Sequence, residues 1–406
     1  MMRAQDRAAV PAALKDVAVV DADTHLSEWY DLWTARAPAS VKDRVPQVRL
    51  NGDKWQWFID GQLLNRENAS SAVRKDGAKQ YGWDFQTMQL ADVHEGCYNP
   101  QARVRMMDEE GIAAQIVYPN LLGFGGQKAM QVDADIRNIS VQIFNDAMAE
   151  LQADSGNRLY PMAMMPWWDV ELSVKEARRC AAMGLRGINM NSDPHEHGLP
   201  GLADPHWNPL WQACVDQSLP VNFHIGASDE STSWVGGRGH WPGQSAEQSL
   251  AFSSVMLVMG NLRVLTNIMV SDFLDRFPDL KVVSVESGVG WIPFLLDALE
   301  YQMFEAGLKP RRSPREVFAS QIYACSWFER EGLARAVQAL GADNLLFETD
   351  FPHPTCLYPS PLGYMGEALD AFSPGDCRKI FGGNAERLYN LDLTVWRETS
   401  PARAHA

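Results

Sequence analysis

The apolar positions of this sequence fall into short continuous runs that alternate with longer stretches of helical periodicity. Eight of the runs are rich in β-branched and apolar residues, as expected for strands that are buried on both faces. The stretches between them, such as 136–153, 174–182, 291–304 and 330–340, favour helices with one apolar face. The predicted strands are 17–25, 114–119, 160–166, 185–190, 220–224, 281–286, 322–327 and 344–350.

This alternation predicts an α/β protein, and eight strand–helix units favour a (β/α)₈ TIM barrel that extends over 1–406 as a single domain. A doubly wound open sheet is the alternative architecture. About 90 residues separate the first two predicted strands, too many for one crossover helix. We therefore expect an insertion over 39–89 with a small β element, because apolar positions alternate around Asn51–Gly52. The insertion contributes either to the active-site face or only to the surface.

The composition is that of a globular protein, with 46% hydrophobic residues, 21% charged residues and a net charge of −15. A general nucleic-acid-binding function is excluded because phosphate attraction needs a basic surface. No uninterrupted apolar run reaches the roughly 18 residues of a membrane helix. The six cysteines are far apart and include no C-x-x-C pair, which indicates buried free thiols. We expect a cytoplasmic protein without a membrane or nucleic-acid partner.

Side chains with metal-ligand chemistry stand at the carboxyl ends of three predicted strands. Asp23 and His25 close the first strand two residues apart, so their side chains leave on the same face. His224 ends the fifth strand in VNFHIG, and Asp350 ends the eighth in LLFETDFPHP. Each residue alone has a structural explanation, such as a hydrogen-bonded core histidine. Because the strand ends of a barrel share one mouth, the four together predict a divalent-metal site.

Several segments of the chain, taken together, resemble the amidohydrolase superfamily. They are DADTH, VNFHIG, TDFPHP, RVRMMDEEGIAAQIVYP, FPDLKVVSVESGVGWIP and GGNAERLYNL, spread over 17–390. The similarity points to the amidohydrolase-2 branch, which includes aminocarboxymuconate-semialdehyde decarboxylase and related aromatic-acid decarboxylases. The resemblance implies that Asp23, His25, His224 and Asp350 bind zinc, manganese or iron. In hydrolytic members the eighth-strand aspartate also accepts a proton from the metal-bound water, a role that falls here on Asp350.

The chain departs from the pattern of this branch at two positions. The first strand of the branch often reads H-x-H or E-x-H, whereas this chain has Asp23 before His25. A carboxylate makes the site harder, which favours manganese or iron without excluding zinc. On the sixth strand the decarboxylases usually carry a histidine in a S-H-G-type turn, and this chain has Glu286 in VESGVG. Glu286 is therefore a candidate general acid or base.

Glu286 and His353 also raise the question of a second ion. With the four residues above they offer enough oxygen and nitrogen donors for one or two divalent ions. The alternative is that Glu286 pairs with a cation such as Arg238 and that His353 caps a helix. His240 lies in the long connection 226–248, a candidate lid, and is a third candidate catalytic residue that would contact the substrate.

These observations predict a metal-dependent hydrolase of a small carboxylate, amide or related carbonyl compound. A non-oxidative decarboxylase of a small aromatic acid is the first alternative, and a dinuclear iron or manganese oxygenase is the second. A non-catalytic barrel subunit of a complex is an alternative of another class. The partner is a small-molecule substrate, and the family resemblance implies a homo-oligomer, often a dimer.

Overall fold

Twelve strands lie in the part of the chain that the computed structural model describes, residues 9–65, 69–233 and 239–399. Eight of them, counting β6 and β7 as one, correspond to the eight predicted strands, with ends that differ by a few residues. The strands are β1 (Val19–His25), β2 (Gln47–Asn51), β3 (Lys54–Ile59), β4 (Gln62–Asn65), β5 (Ile112–Tyr118), β6 (Leu159–Pro161), β7 (Ala163–Met164), β8 (Ile188–Asn189), β9 (Val221–His224), β10 (Val282–Val285), β11 (Ile322–Ser326) and β12 (Leu345–Phe347).

The parallel strands follow one another around a ring in chain order. One sheet has the order β1-β5-β6, and a second has the order β7-β8-β9-β10-β11-β12. β6 and β7 are two halves of one strand, separated only by Met162. The amide of Met162 donates to Val117 in β5 at 2.8 Å, and the next amide, of Ala163, donates to Gly187 before β8 at 3.0 Å. The strand thus changes partners at Met162 and joins the two sheets.

The ring closes between β12 and β1. The amide of Asp350 donates to the carbonyl of Asp23 at 3.0 Å, and the amide of His25 donates to the carbonyl of Phe351 at 2.7 Å. These bonds confirm the (β/α)₈ TIM barrel, and the doubly wound open sheet was wrong. They also tie together the two chain segments that carry most of the predicted metal ligands.

Helices follow the barrel strands and cover their outer faces. All four helical stretches predicted from periodicity are helices in the structure. The α-helices are α1 (Pro100–Glu110), α2 (Ala134–Asp154), α3 (Val170–Met183), α4 (Asn208–Asp216), α5 (Ala246–Met256), α6 (Val258–Val270), α7 (Phe273–Arg276), α8 (Ile292–Glu305), α9 (Pro314–Gln321), α10 (Arg330–Leu340), α11 (Pro361–Leu369), α12 (Pro374–Arg378), α13 (Asn384–Leu388) and α14 (Thr394–Thr399).

The insertion after β1 carries a three-stranded antiparallel sheet of order β2-β3-β4. β2 and β3 form the predicted hairpin, in which Asn51 pairs with Lys54 and Gly52 has a φ of 65°. Trp57 of β3 is buried against Trp33, with 5.8 Å between the ring centroids. The Trp33 indole in turn donates to the carbonyl of Ser140 in α2 at 2.9 Å. The sheet is therefore fixed to the barrel's helical layer by a buried tryptophan pair.

Helices α5 and α6 together form a long apolar stretch. By length and composition alone, Ala246–Val270 could cross a membrane. Core helices of barrels have the same character, and α6 is such a helix. Its Asn261 amide donates to the carbonyls of Phe223 and Val285, both at 3.0 Å, at the ends of β9 and β10. Helix α6 thus packs on the barrel strands, whereas Ser253 is the buried residue of α5.

The six cysteines are free and buried, as predicted. Burial raises the pKa of Cys97 to about 11. A thiol with such a pKa is a poor nucleophile at neutral pH, which agrees with a packing role.

Candidate metal centre

Six predicted site residues converge at the carboxyl-terminal mouth of the barrel. They come from the ends of four strands that lie far apart in sequence, and the barrel brings these ends to one face. Their side chains are all buried. The residues are Asp23 and His25 at the end of β1, His224 at the end of β9, Glu286 just after β10, and Asp350 and His353 after β12.

The donor atoms form two overlapping groups, each with all of its atoms within 4.8 Å of one another. The first group contains Asp23, His25, His224 and Glu286. The second group contains His25, Glu286, Asp350 and His353. The six residues therefore form one continuous cluster, with Glu286 and His25 common to both groups.

Within the first group, Nε2 of His224 is the central atom. It lies 3.1 Å from Nε2 of His25, 3.2 Å from Oε2 of Glu286 and 3.5 Å from Oδ1 of Asp23. Nε2 of His25 is also 3.5 Å from Oδ1 of Asp23. Spacings of this size separate neighbouring ligand atoms around one small cation, since each bond to the ion is about 2.0–2.2 Å long.

The tautomer of His224 suits it to bind a cation. Its Nδ1 lies 2.6 Å from the carbonyl oxygen of Ile225, which can only accept a hydrogen bond. Nδ1 therefore carries the proton, and the lone pair of Nε2 faces the cluster. Burial lowers the pKa of His224 to about 4, so the ring is neutral at physiological pH. A distal hydrogen bond to a carbonyl is the usual support for a metal-binding histidine.

The surroundings of the Asp23 carboxylate show whether the cluster suits a cation. Both of its carboxylate oxygens are buried, and neither has a hydrogen-bond partner among the described residues. Burial, and then the charge of Asp350, raise the pKa of Asp23 well above its ordinary value. A buried carboxylate without partners costs several kcal/mol, and a bound divalent ion would reverse that cost. The residues present therefore fit a divalent metal.

Glu286 and Asp350 reach the cluster through an unusual backbone conformation. Their φ angles are 54° and 60°, in the left-handed region that residues with a Cβ rarely adopt. The Glu286 amide donates to Oε2 of Glu348 at 3.0 Å, and the Asp350 amide donates to the carbonyl of Asp23. Such a conformation costs about 1–3 kcal/mol at each residue. Both residues place a carboxyl oxygen in the cluster from this conformation.

Asp350 is held from both sides. Its Oδ2 accepts a hydrogen bond from the Thr355 hydroxyl at 2.9 Å, and its Oδ1 lies 2.7 Å from Nδ1 of His353. The same Oδ1 is 3.8 Å from Nε2 of His25. The His353 ring stacks on the His25 ring with 3.8 Å between the centroids. His353 therefore belongs to the cluster and does not cap a helix.

A buried polar network, which we call the floor network, adjoins the cluster. It consists of Asp21, Arg103, Gln115 and Thr349. Asp21 accepts hydrogen bonds from the amide and hydroxyl of Thr349, at 2.9 and 2.6 Å, and from Gln115 at 3.1 Å. Arg103 donates to Gln115 at 3.0 Å and to the carbonyl of His25 at 2.7 Å. The network links β1, β5, β12 and α1.

Sequence reasoning missed the floor network, although one signal for part of it was present. Asp21 is a charged residue inside the apolar run of β1, which indicates a buried carboxyl group that needs partners. Arg103 gave no signal, because it arrives from a helix that is distant in sequence.

A cavity of about 340 Å³ opens above the cluster. Glu286 and His353 line its base, and Phe124 covers the histidines, with its ring 4.3 Å from that of His224. The other walls are largely apolar, with Lys128 as a cation. They include Trp83, Phe85, Ile225, Leu250 and Leu257, together with Asn120, Ser253 and Thr355.

The insertion forms part of this cavity. Trp83 and Phe85 belong to a short 3₁₀ helix, Gly82–Thr87, and both line the cavity. The indole of Trp83 donates to the carbonyl of Ala246 at the start of α5, at 2.8 Å. The insertion therefore lines the cavity above the cluster, and its contribution to an active-site face stays a prediction.

His240 does not join the cluster. Its ring nitrogens lie 3.1 Å from the hydroxyl of Ser249 and 3.2 Å from that of Ser253, both in α5. Ser253 lines the cavity, so a hydroxyl separates His240 from it. The predicted contact of His240 with a substrate stays a prediction. Arg238, the cation considered for Glu286, lies outside the described residues.

Comparison with known proteins places these features in a family. A family model described as Amidohydrolase matches residues 20–391. The decarboxylase of 2-amino-3-carboxymuconate-6-semialdehyde from Dictyostelium discoideum is 25% identical over 313 residues, 74% of this chain and 79% of its own length. Gamma-resorcylate decarboxylase from Polaromonas sp. JS666 is 26% identical over 337 residues, 76% of this chain and 91% of its own length.

Solved structures share the fold. An amidohydrolase from Mycobacterium avium subsp. paratuberculosis K-10 aligns with a TM-score of 0.72 at 23% identity, over 92% of this chain and 99% of that chain. A dihydroxybenzoic acid decarboxylase from Polaromonas sp. JS666, crystallised with manganese and 2-nitroresorcinol, aligns with a TM-score of 0.57 at 19% identity, over 92% and 97% of the two chains. The match of the family model over nearly the whole barrel shows that this chain belongs to the amidohydrolase family.

Proposed function

We propose that this chain is a divalent-metal-dependent decarboxylase that releases CO₂ from a small aromatic or similarly unsaturated acid without an oxidant. One observation carries the proposal: a buried cluster of cation ligands forms the base of a cavity with aromatic walls. The two curated relatives named above are both decarboxylases, which supports this reading over the hydrolase that we expected from the sequence.

Asp23, His25, His224 and Glu286 would hold the ion, because their donor atoms lie within 4.8 Å of one another. A divalent ion supplies positive charge that binds and polarises a substrate oxygen, such as a carboxylate or a neighbouring hydroxyl. Manganese or iron suits the two carboxylates of this set better than zinc does.

The cavity would bind and orient the acid above the cluster. Phe124, Trp83 and Phe85 offer aromatic surface, and stacked rings prefer such surroundings. Lys128 on the same wall supplies a positive charge for an anionic substrate. The largely apolar walls would also disfavour bound water, which favours loss of CO₂ over hydrolysis.

Asp350 would deliver the proton that the reaction requires. One of its oxygens lies within 4.8 Å of donor atoms of His25 and Glu286, and the Thr355 hydroxyl holds its other oxygen. The proton of Asp350 forms the new C–H bond at the carbon that bears the carboxylate. The carbon–carboxylate bond then breaks, CO₂ leaves, and the electron pair of that bond restores the unsaturated system. A proton from solvent then returns to Asp350.

The test is CO₂ release from a panel of hydroxylated benzoates by manganese-loaded protein, with products analysed in D₂O. We expect CO₂ and a product with one deuterium at the former carboxyl carbon. Asp350→Asn should lower the rate about 10²–10⁴-fold, the range for loss of a general acid. Asp370→Asn, at an exposed position, is the matched control and should leave the rate unchanged.

The absence of CO₂ from every acid, or an undiminished rate in Asp350→Asn, would overturn the proposal. Hydrolysis of amides or esters by the same preparation would restore the hydrolase reading. Oxygen uptake with the acids would favour the oxygenase, and a loaded protein with no turnover would favour the non-catalytic subunit. These two alternatives stay predictions until that assay.

A further inference from the structure

We propose that Ser253 determines the specificity of the cavity and that His240 positions its hydroxyl group. The Ser253 hydroxyl binds a hydroxyl substituent of the substrate that lies away from the metal centre. The inference rests on the proposed function, because it requires that the cavity above the metal centre holds an aromatic acid. It gives His240, which does not join the cluster, a role in substrate recognition that acts through Ser253.

Helix α5 has an unusual pattern of burial. It contains several apolar residues, yet the buried residue of this helix is Ser253. Val255 is 68% exposed, and Leu250 and Phe252 are half-buried. Hydrophobic packing alone would place the apolar side chains inside and the serine outside. The orientation of α5 therefore presents a serine to the cavity, which Ser253 lines together with Leu250.

The hydroxyl groups of Ser253 and its neighbour Ser254 have different partners, although both residues line the cavity. A serine inside a helix commonly donates to the carbonyl of the residue four positions earlier. Ser254 does so, and its hydroxyl lies 2.9 Å from the carbonyl oxygen of Leu250. Among the described residues, the Ser253 hydroxyl is instead paired with His240, 3.2 Å from Nε2. A side chain from outside the helix therefore sets the orientation of this hydroxyl.

His240 is held on α5 by three contacts. Its Nδ1 lies 3.1 Å from the hydroxyl of Ser249, and its Nε2 faces Ser253 one helical turn later. The ring also packs edge-on against Phe252, with 4.5 Å between the ring centroids. Because both ring nitrogens and the ring itself are engaged, the imidazole has a defined orientation relative to Ser253. It can therefore fix the position of the hydroxyl that faces the cavity.

The Ser253 hydroxyl retains hydrogen-bonding capacity for a ligand. A serine hydroxyl offers one donor and two acceptor positions. If Nε2 of His240 carries a proton, it donates to Ser253, and the serine proton is then free to donate to a ligand. If Nε2 carries the lone pair, Ser253 donates to it and accepts from the ligand. A hydroxyl substituent on an aromatic ring both donates and accepts, so it matches Ser253 with either tautomer of His240.

The surroundings of Ser253 make this hydrogen bond selective. Leu250 and Leu257, three residues before and four residues after it, lie on the same helical face and line the same cavity. A ligand without the hydroxyl substituent leaves the remaining donor or acceptor of Ser253 buried and unpaired, which costs binding free energy. The cavity should therefore prefer an aromatic acid with a hydroxyl group away from the metal centre over the same acid without it.

The test is calorimetry of manganese-loaded protein, in the absence of oxygen, with phenol and with 1,2-, 1,3- and 1,4-dihydroxybenzene as probes. These probes have no carboxylate, so their binding does not depend on turnover. We expect one dihydroxybenzene to bind about 5–10-fold more tightly than phenol, the size of one net hydrogen bond. Ser253→Ala should reduce this preference to less than about twofold, and the matched Ser254→Ala should retain it. Equal affinity for all the probes, or an unchanged preference in Ser253→Ala, would overturn the inference.

Two variants of His240 test its positioning role. A glutamine side chain reaches about as far as Nε2 of histidine, so His240→Gln keeps a partner for Ser253 and should keep the preference. An asparagine side chain reaches only as far as Nδ1, so in His240→Asn the Ser253 hydroxyl can turn back to the carbonyl of Ser249, and the preference should be lost. A purely structural role would change the affinity for phenol and for the dihydroxybenzenes alike. Equal preference in the two variants would overturn the positioning role.

The outcomes for the two proposals are distinct. CO₂ release together with equal affinity for the probes would refute the role of Ser253 and leave the decarboxylase in place. A preference that depends on Ser253, without CO₂ release from any acid, would support hydroxyl recognition and refute the decarboxylase.

Discussion

The metal centre and the adjoining floor network are two buried polar clusters that both include residues of β1 and residues just after β12, and they differ in their hydrogen bonding. In the floor network, Asp21 accepts hydrogen bonds from Thr349 and Gln115, and Arg103 donates to Gln115 and to a backbone carbonyl. In the metal centre, neither oxygen of Asp23 has a hydrogen-bond partner among the described residues. Asp21 and Asp23 are two residues apart and equally buried.

Hydrogen-bond partners therefore distinguish a structural polar residue from a functional one better than burial does, because the two aspartates are equally buried. Polar groups that form all their hydrogen bonds with one another need no further partner, and their role is to hold strands together. Buried polar groups that converge without hydrogen-bond partners imply a bound ligand that the protein chain does not supply. The predictions below test this division at neighbouring residues.

The largest effect is expected from a paired substitution in β1. Asp23→Asn removes a ligand and should lower metal content per chain and CO₂ release, the latter by about 10³-fold or more, since a metal ion contributes several kcal/mol. Asp21→Asn should retain the ion, because burial raises the pKa of Asp21 to about 7 and the side chain is already partly neutral at that pH. Metal analysis and turnover of both variants decide this. Equal metal loss in the two variants would contradict the distinction between a structural Asp21 and a metal-binding Asp23.

A second substitution tests the structural role of the floor network. Arg103→Met leaves the carbonyls of His25 and Gly96 and the amide of Gln115 without their buried donor. We expect a loss of roughly 3 kcal/mol in the free energy of unfolding, measured by urea denaturation of metal-free protein. Arg49→Met, at an exposed arginine, should change the stability by less than about 0.5 kcal/mol. A variant as stable as the parent would show that the network is dispensable.

The smallest effect concerns the pH dependence of metal-free protein. His224, with its pKa lowered to about 4, destabilises the fold at low pH, and this contribution ends above the unfolded pKa of about 6.5. Asp21, with a pKa of about 7, and Asp23 and Glu286, with pKa values raised by burial, contribute stability only while protonated. That contribution is lost as pH rises through the folded pKa values.

The melting temperature of metal-free protein should therefore fall by roughly 3–8 °C between pH 6.5 and 8.5, as calorimetry can measure. Added Mn²⁺ should flatten this dependence, because the ion takes the place of the protons. A melting temperature that rises over this interval in metal-free protein would refute our account of the buried carboxyls.

Much of the site followed from sequence because strand ends are simple to locate. The spacing of Asp23 and His25, and the positions of His224 and Asp350 after apolar runs, require only that the strands be parallel and form a barrel. The grouping of Glu286 with His353 also followed from their positions just beyond strand ends.

Features that depend on packing between segments distant in the chain could not be predicted from the sequence. Trp83 lines the cavity because the insertion meets α5, and no local pattern indicates that contact. The separation of His240 from the cavity by Ser253 depends on how a long loop crosses a helix. The tautomer of His224 depends on a single acceptor, the carbonyl of Ile225, that is visible only in three dimensions.

The left-handed backbone at Glu286 and Asp350 lowers the stability of the fold, while their carboxyl groups are needed for the proposed chemistry. Glycine adopts this conformation without cost, so Glu286→Gly or Asp350→Gly would relieve the backbone strain while it removes a carboxyl group that the proposed reaction needs. Random drift under selection for folding alone would thus favour glycine at both positions. Laboratory evolution for heat resistance, without a requirement for turnover, should select these two substitutions early. The resulting proteins would have a higher melting temperature and no activity.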